Sequence, residues 1–199
     1  MPRLLCSNCQ RPQSTCLCAL VQQVANTTEV LILQHPLEQH QAKGSATLLQ
    51  LCLTQCRIAV AEQFDLDTLL NDSGLHNNST RQNILLYPPS ADTPTTATVS
   101  PAQLLPQQTR LIILDGTWRK TRKLLHLNPQ LAALPRLQLD NLPASRYHIR
   151  KAHNDGQLST LEACCLALGR IELDMERYQP VLDAFEQFNG RLAQFSPHK

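Results

Sequence analysis

One stretch of the sequence places a carboxylate, the single tryptophan and a dense group of cations next to one another. It reads ILDGTWRKTRK, residues 113–123. Asp115 ends an apolar run, where a lone carboxylate is costly unless it has partners or a chemical task. A carboxylate in this position can act as a general base, and Trp118 can stack on a nucleobase or cover an organic cofactor. Gly116 between them is expected to let the backbone turn sharply.

The cations after the tryptophan form a candidate anion-binding surface. They are Arg119, Lys120, Arg122 and Lys123. They fall at the start of a predicted helix, where the helix dipole adds positive potential, and Arg119, Arg122 and Lys123 share one face of it. A solvated basic face with a capping aspartate is the plainer interpretation. The strand-end Asp115 and the lone Trp118 favour a functional site.

A second basic and aromatic patch precedes another predicted helix. It contains Arg146, Tyr147, Arg150 and Lys151. Phosphate contacts from arginine and lysine, together with stacking by tyrosine, are typical of binding to structured RNA. A surface hairpin before a well-capped helix is the alternative.

Four cysteines near the N-terminus have the spacing of a metal site. Cys6 and Cys9 form a C-x-x-C pair, and Cys16 and Cys18 form a C-x-C pair. Four thiolates without an open position predict a structural zinc site, in a zinc-binding knuckle of residues 1–22. The alternative is a disordered tail with incidental thiols. The remaining cysteines, Cys52, Cys56, Cys164 and Cys165, are interpreted as small buried hydrophobic side chains.

The segment His35-Pro36-Leu37-Glu38 follows a predicted strand and has two open interpretations. Base deaminases combine H-x-E with a downstream P-C-x-x-C, whereas here the spacing is H-x-x-E and the only C-x-x-C lies upstream. A loop before a helix can hold an anion. It can equally be ordinary helix capping.

Composition excludes several classes of protein. The 199 residues carry a net charge of only +2, so no global basic field indicates a nucleic-acid partner. With six glycines and no G-x-G-x-x-G, P-loop or G-x-S-x-G, a Rossmann nucleotide site or a P-loop NTPase is not expected. No apolar run approaches the roughly 18 residues of a membrane span, and no apolar leader opens the chain. We therefore expect a cytoplasmic protein.

Apolar runs that alternate with helical patterns predict an α/β fold. The predicted strands are Thr28–Gln34, Arg57–Ala61, Asn83–Tyr87, Arg110–Asp115 and Arg136–Leu139. The predicted helices are Ser45–Cys56, Leu66–Leu70, Trp118–Leu127, a short one capped by Asn128-Pro129, one that opens at the S-x-x-E capping box of residues 159–162, and a last one with an apolar stripe over residues 181–192. Ser100-Pro101 predicts one further helical turn inside the polar segment 88–108.

The strands lack polar alternation, which predicts a mostly parallel sheet covered by helices on both faces. Ligands of such sheets bind beyond the carboxyl ends of the strands. This rule places His35, Tyr87 and Asp115 at one edge of the predicted sheet.

Asp115-Gly116-Thr117-Trp118 resembles the signature of the DTW-domain family. The resemblance extends over nearly the whole chain: C-x-x-C-x-R-P and C-x-C at residues 6–18, His35-Pro36-x-Glu38, Leu86-Tyr87-Pro88, residues 115–123, Asn128-Pro129, residues 147–151 and residues 158–163. It implies a catalytic domain over residues 23–199 with a SPOUT-like fold and a C-terminal trefoil knot. It also implies transfer of the 3-amino-3-carboxypropyl group from S-adenosylmethionine to N3 of a uridine in tRNA, which releases methylthioadenosine.

The resemblance also implies roles for individual residues. Asp115, Thr117 and Trp118 would be catalytic. The cofactor would be held by Tyr87, Pro88, Leu114, Asp115, Gly116, Leu158, Ser159, Thr160 and Glu162. Substrate tRNA would contact His35, Glu38, Arg119, Lys120, Arg122, Lys123, Arg146, Arg150 and Lys151. A SPOUT-type RNA methyltransferase and a non-catalytic zinc RNA-binding protein remain the alternatives.

Overall fold

A computed structural model describes residues 4–39, 41–71, 81–88, 97–140 and 158–194 of the chain. Its strands are β1 (Glu29–Gln34), β2 (Cys56–Val60), β3 (Gln82–Leu86), β4 (Thr98–Val99), β5 (Thr109–Asp115) and β6 (Arg136–Leu137). Its helices are α1 (Ala46–Cys52), α2 (Leu66–Asn71), α3 (Trp118–Leu127), α4 (Pro129–Ala132), α5 (Thr160–Ile171) and α6 (Gln179–Gln194).

The strands form one sheet in the order β2-β1-β5-β3-β6-β4, and all the strand pairs are parallel. The two central strands, β1 and β5, are buried along their whole length. A strand covered on both faces needs apolar side chains on both sides, and the runs VLIL and LIIL supply them. The prediction of a parallel sheet is confirmed.

Successive residues of the central strands feed two separate cores because side chains alternate between the faces of a sheet. Val30 and Ile32 pack on the side of α1, α5 and α6. Leu31 and Leu33 pack on the side of α2, α3 and α4. The predicted stripe of the last helix lies in the first core, where Val181 and Phe185 are fully buried. Helices therefore cover both faces, as the sequence predicts.

The predicted helix Ser45–Cys56 is too long. Helix α1 ends at Cys52, Leu53 is extended and bridges Val24, and Cys56 already belongs to β2. The side chain of Asn26 accepts a hydrogen bond from Gln55 N at 2.9 Å. These contacts with a segment some 30 residues earlier stop the helix, although its apolar spacing continues.

The polar segment 88–108 contains more regular structure than its composition indicates. The predicted turn at Ser100-Pro101 is confirmed as a 3-10 helix, Pro101–Gln103, with a capping box between Ser100 and Gln103. The short strand β4 was not predicted. Its two residues pair with β6, and so short a strand is specified by its distant partner and not by its own pattern.

The predicted C-terminal knot depends on the path of residues 141–157, which lie outside the described residues, so it stays a prediction. Among the described residues, no helix is both long and apolar enough to cross a membrane.

Candidate functional site

The carboxyl ends of three neighbouring strands bring the predicted site residues together. Asp115 ends β5, His35 follows β1 on one side, and Tyr87 follows β3 on the other. The backbone N–H of His35 donates to the carbonyl of Asp115 at 3.0 Å. The strand-end rule therefore placed all three residues at one edge correctly. We call this edge the carboxyl edge.

The side chain of Asp115 is buried and fixed by donors from two elements. Gln34 Nε2 donates to Oδ2 at 2.8 Å, and Thr160 Oγ1 donates to Oδ1 at 2.9 Å. Gln34 is the last residue of β1, and Thr160 is the first residue of α5. Both oxygens therefore accept hydrogen bonds, as an ionised carboxylate does.

Gly116 is required by close packing and not by an unusual backbone angle. Its φ lies outside the left-handed region, so the expected sharp turn is not what selects glycine. A Cβ at this position would lie 3.1 Å from Lys120 Cβ, 3.6 Å from Thr121 Cγ2 and 3.7 Å from His35 Cβ. The glycine allows the start of α3 to approach the loop after β1.

Trp118 and Tyr87 form an aromatic pair at the carboxyl edge. Their rings meet edge to face, with centroids 5.8 Å apart and an interplanar angle of 72°. Tyr87 is buried, and its hydroxyl lies 3.2 Å from Thr121 Oγ1. Trp118 is 46% exposed, so part of its indole face is open to a planar ligand. Thr117 is the N-cap of α3 through a bond from Lys120 N.

The cations of α3 divide into two kinds. Lys120 Nζ lies 2.6 Å from Glu38 Oε1, and Lys123 Nζ lies 2.6 Å from Glu62 Oε2. The hydrogen bond from Lys123 lowers the pKa of Glu62. The other two cations of the cluster, Arg119 and Arg122, are exposed and make no ion pair within the described part of the chain. Within this cluster, Arg119 and Arg122 are therefore the cations that are fully available to an anion.

His35 and Glu38 are buried, and the side chains of both contact neighbouring polar groups. His35 Nδ1 accepts from Leu37 N at 3.2 Å, and His35 Nε2 lies 3.0 Å from Glu62 Oε1. A neutral imidazole protonated at Nε2 satisfies both contacts. Glu38 binds Lys120. The loop is thereby tied to α3, and the contact of these residues with tRNA stays a prediction.

The capping box at the start of α5 is confirmed. Ser159 Oγ accepts from Glu162 N at 3.2 Å, and Glu162 Oε2 accepts from Ser159 N at 2.8 Å. The box sets the first turn of α5, and this turn presents Thr160 to Asp115.

The remaining predicted contacts are only partly visible. Leu114 lies in the core on the α3 side, Pro88 is exposed and Leu158 is half-buried. Their role in cofactor binding stays a prediction. The tRNA contacts predicted for Arg146, Arg150 and Lys151, and the stacking predicted for Tyr147, lie outside the described residues.

The four N-terminal cysteines converge as the sequence predicts. Their Sγ atoms all lie within 4.8 Å of one another, with 3.6 Å from Cys6 to Cys18 and 3.8 Å from Cys9 to Cys16. A tetrahedral zinc with Zn–S bonds of about 2.3 Å requires sulfur–sulfur distances of about 3.8 Å. This cluster could therefore hold a metal ion.

The thiols of the cluster differ in acidity. Backbone N–H groups of Cys9 and Asn8 lower the pKa of Cys6 to about 6. For Cys16, a backbone N–H of Cys18 lowers the pKa, but the neighbouring thiols, Cys6 first, outweigh it and raise the pKa to about 12. Protons are thus shared unequally among crowded sulfurs, where a cation can replace them.

Of the other cysteines, Cys52, Cys164 and Cys165 are buried core residues, as predicted, whereas Cys56 is only partly buried against the core. Cys52, Cys164 and Cys165 are fully buried, and burial raises the pKa of all three thiols. Burial also raises the pKa of Cys56. A thiol that resists ionisation is a poor nucleophile and a poor ligand.

Sequence reasoning missed three polar residues at or near the carboxyl edge. Gln34 precedes His35 at the end of β1, so the strand-end rule could have found it. Glu62 lies just past β2, where the same rule applies. Arg136 opens β6 with a charged side chain that is only 1% exposed, and its burial could not be inferred from so short a strand.

Comparison with known proteins agrees with these features. The sequence-family model of the DTW domain matches residues 3–193 of this chain. The tRNA-uridine aminocarboxypropyltransferase 2 of Macaca fascicularis is 29% identical over 177 residues, which are 84% of this chain and 56% of the relative. Its Drosophila melanogaster counterpart is 28% identical over 188 residues, 89% of this chain and 70% of the relative.

A plant relative, the tRNA-uridine aminocarboxypropyltransferase A of Arabidopsis thaliana, is 27% identical over 202 residues, 89% of this chain and 76% of the relative. The chain spans little more than half the length of the macaque relative. No solved structure matches it. The match over residues 3–193 includes the Asp115–Trp118 element and the cysteine cluster, and the chain therefore belongs to the DTW-domain family.

Proposed function

We propose that this chain transfers the 3-amino-3-carboxypropyl group of S-adenosylmethionine to N3 of a uridine in tRNA. The observation that carries the proposal is the buried carboxylate of Asp115, fixed by Gln34 and Thr160 beside the half-exposed Trp118. The relatives named as tRNA-uridine aminocarboxypropyltransferases support the reaction class.

The residues at the carboxyl edge fit such a donor. The Tyr87–Trp118 pair offers aromatic surface to an adenine ring or to a sulfonium cation. Two guanidinium nitrogens of Arg136, next to Tyr87, are buried and have no hydrogen-bond partner among the described residues. When bound, S-adenosylmethionine supplies an electrophilic γ-carbon, and sulfur keeps the electron pair of the carbon–sulfur bond as the new N3–carbon bond forms.

Asp115 is the proposed acceptor of the uridine proton. N3–H is a weak acid, and it must lose its proton for the nitrogen to attack. The two oxygens of Asp115 accept hydrogen bonds from Gln34 and Thr160, and an ionised carboxylate is a group that can accept a proton. Those two donors hold the carboxylate in one orientation, as efficient proton transfer requires.

The exposed arginines of α3 are the proposed phosphate contacts. Arg119 and Arg122 project from the first two turns of the helix that begins at Trp118. Phosphates bound there would orient an RNA strand so that a flipped base could reach the indole and Asp115. Lys120 and His35 act in this proposal by fixing the loop after β1 against α3.

The cysteine cluster is the proposed site of one structural zinc ion. All four ligands come from the chain, and the cluster has the sulfur spacing of a tetrahedral site. No step of the reaction is assigned to the metal.

A label-transfer assay tests the function. The protein is mixed with unmodified tRNA and with S-adenosylmethionine labelled either in the methyl group or in the aminocarboxypropyl carbons. We expect label in the tRNA only from the second batch, with release of methylthioadenosine.

Label from the methyl batch alone would instead identify an RNA methyltransferase. Label from neither batch, with RNA still bound, would identify an RNA-binding protein without this activity. Digestion of labelled tRNA to nucleosides would then locate the modified base and the nitrogen that carries the group.

A further inference from the structure

Arg136 is a fully buried cation whose hydrogen-bonding capacity is largely unused. Its Nη1 donates to the carbonyl of Pro88 at 3.0 Å, and its Cζ lies 5.5 Å from the centre of the Tyr87 ring. Its Nε and Nη2 are shut off from solvent and have no hydrogen-bond partner in the part of the chain that the structure describes. Buried charges are costly unless they are paired, so these atoms indicate a missing anion.

Arg110 shows how the same fold balances the charge of a buried arginine with a carboxylate, although its Nε, like that of Arg136, has no hydrogen bond of good geometry among the described residues. It is nearly as buried as Arg136, but it lies 2.9 Å from the carboxylate of Glu29 and donates to Leu70 O at 2.7 Å. Arg57 and Arg81 approach the same carboxylate. This cluster lies at the amino ends of β1 and β5. For Arg136, no described carboxylate lies within ion-pair distance.

The position of Arg136 connects it to the proposed active site. It pairs in register with Leu85, so its side chain leaves the same face of the sheet as Leu85 and, two residues later, Tyr87. Its guanidinium reaches Pro88, just past the carboxyl end of β3. Tyr87 in turn contacts Trp118. The cation therefore lies behind the aromatic pair that follows the carboxyl ends of β3 and β5.

The two unpaired nitrogens select the class of anion. Nε and Nη2 form one edge of the guanidinium, and their N–H bonds point the same way. This edge matches the two oxygens of a carboxylate in a bidentate contact. These two nitrogens are fully buried, and a small terminal carboxylate can approach them more easily than a phosphate within an RNA strand.

We propose that Arg136 binds the α-carboxylate of the amino-acid part of S-adenosylmethionine. This inference rests on the proposed function and deepens it, because the transferred group itself carries that carboxylate. The contact fixes the end of the aminocarboxypropyl chain, so that its γ-carbon faces the base held near Asp115 and the methyl group does not. Arg136 would thus help to decide which carbon is transferred.

Binding measurements test the proposal, with the small ligands in the absence of RNA and with tRNA in a separate titration. The ligands are S-adenosylmethionine, decarboxylated S-adenosylmethionine and methylthioadenosine. Their binding is measured by calorimetry and by the fluorescence of the single tryptophan, Trp118. We expect the wild type to prefer the intact donor over the decarboxylated one by at least about tenfold. Arg136→Met and Arg136→Lys should abolish that preference and leave the affinity for methylthioadenosine unchanged. Arg191→Met, on the exposed surface of α6, is the matched control.

The other possible outcomes can be distinguished from the expected one and from each other. A wild type that binds both donors equally would overturn the proposal without any variant, so it stays testable even if Arg136→Met does not fold. Equal weakening of all three ligands would give Arg136 a purely structural role. If the Arg136 variants keep the donor preference but bind RNA more weakly, the guanidinium binds a phosphate and not the donor carboxylate. A wild type that binds RNA and none of the three ligands would overturn the proposed function itself.

Discussion

The carboxylate of Asp115 combines burial with a fixed orientation. Gln34 and Thr160 hold it from two sides, and the lone tryptophan stands three residues away. Neither donor is adjacent to Asp115 in sequence. The environment of the candidate base is therefore built by the junction of β1, β5 and α5.

Asp115→Asn removes the base and preserves the shape of the side chain. We expect the transfer rate to fall by roughly 100-fold or more, the usual contribution of a general base. Steady-state rates with aminocarboxypropyl-labelled donor give the result. RNA affinity and melting temperature are the controls, because both should stay near the wild-type values. A variant with near-normal turnover would show that Asp115 is not the base.

The cations of α3 should separate by function. Arg119→Ala and Arg122→Ala should weaken RNA binding and reduce the slope of log K against log salt by about one each. Lys120→Met should instead leave the Glu38 carboxylate buried and unpaired, which costs about 3 kcal/mol of unfolding free energy. RNA titrations at several salt concentrations and urea denaturation measure the two effects. Equal salt slopes for wild type and both arginine variants would remove these residues from the RNA interface.

At the scale of elements, the start of α3 is locked against the loop after β1. Gly116→Ala places a Cβ 3.1 Å from Lys120 Cβ, an atom that cannot swing away. We expect a loss of about 1 kcal/mol or more of unfolding free energy. Gly190→Ala in α6 is the matched control, because no described atom lies within 4 Å of its added Cβ. The control should stabilise the protein by about 0.5–1 kcal/mol through helix propensity. Destabilisation by both or by neither would contradict this explanation.

The capping box of α5 has a catalytic consequence. Ser159→Ala should cost about 1 kcal/mol of stability and also lower the transfer rate, because the first turn of α5 carries the Thr160 hydroxyl that holds Asp115. Ser100→Ala removes the comparable capping box at Pro101–Gln103. Denaturation gives the stability of each variant, and the transfer assay gives its rate. A rate reduced as much by Ser100→Ala would indicate a general loss of folded protein.

At the scale of the whole molecule, the cysteine knuckle is part of the main core. Leu17 and Leu20 are buried in the same cluster as Phe188 and Leu192 of α6. Arg11 donates to the carbonyls of Ala42 and Gly44 and lies over the Phe188 ring. Release of a metal from the knuckle would therefore loosen α6 and the entry to α1. The boundary between residues 1–22 and 23–199 stays a prediction.

Zinc removal should accordingly destabilise more than the N-terminal segment. We expect one zinc per chain by elemental analysis and a clear fall in melting temperature after chelation, because metal binding adds to the folding free energy. Cys6→Ser and Cys18→Ser should lose the ion, and Cys56→Ala should keep it. A fully reduced protein that binds no zinc and melts at the same temperature with and without chelator would refute the site.

The sequence by itself determined the class of the fold and the main chemical groups. Unbroken apolar runs predicted β1 and β5 because both faces of these strands are covered. Cysteine spacing predicted the cluster, and the strand-end rule brought His35, Tyr87 and Asp115 to one edge. The capping signals of Ser100 and Ser159 are local in sequence, which is why the elements that they begin were predicted closely.

Only the tertiary structure decided which of those groups are free to act. Lys120 and Arg119 look alike in the sequence, but one meets a buried glutamate 82 residues away and the other faces solvent. The end of α1 and the strand β4 were likewise set by distant backbone partners. Arg136 became a candidate ligand only when the described part of the structure showed two of its donors without acceptors. Pairing and burial depend on contacts between distant segments, and no local pattern encodes them.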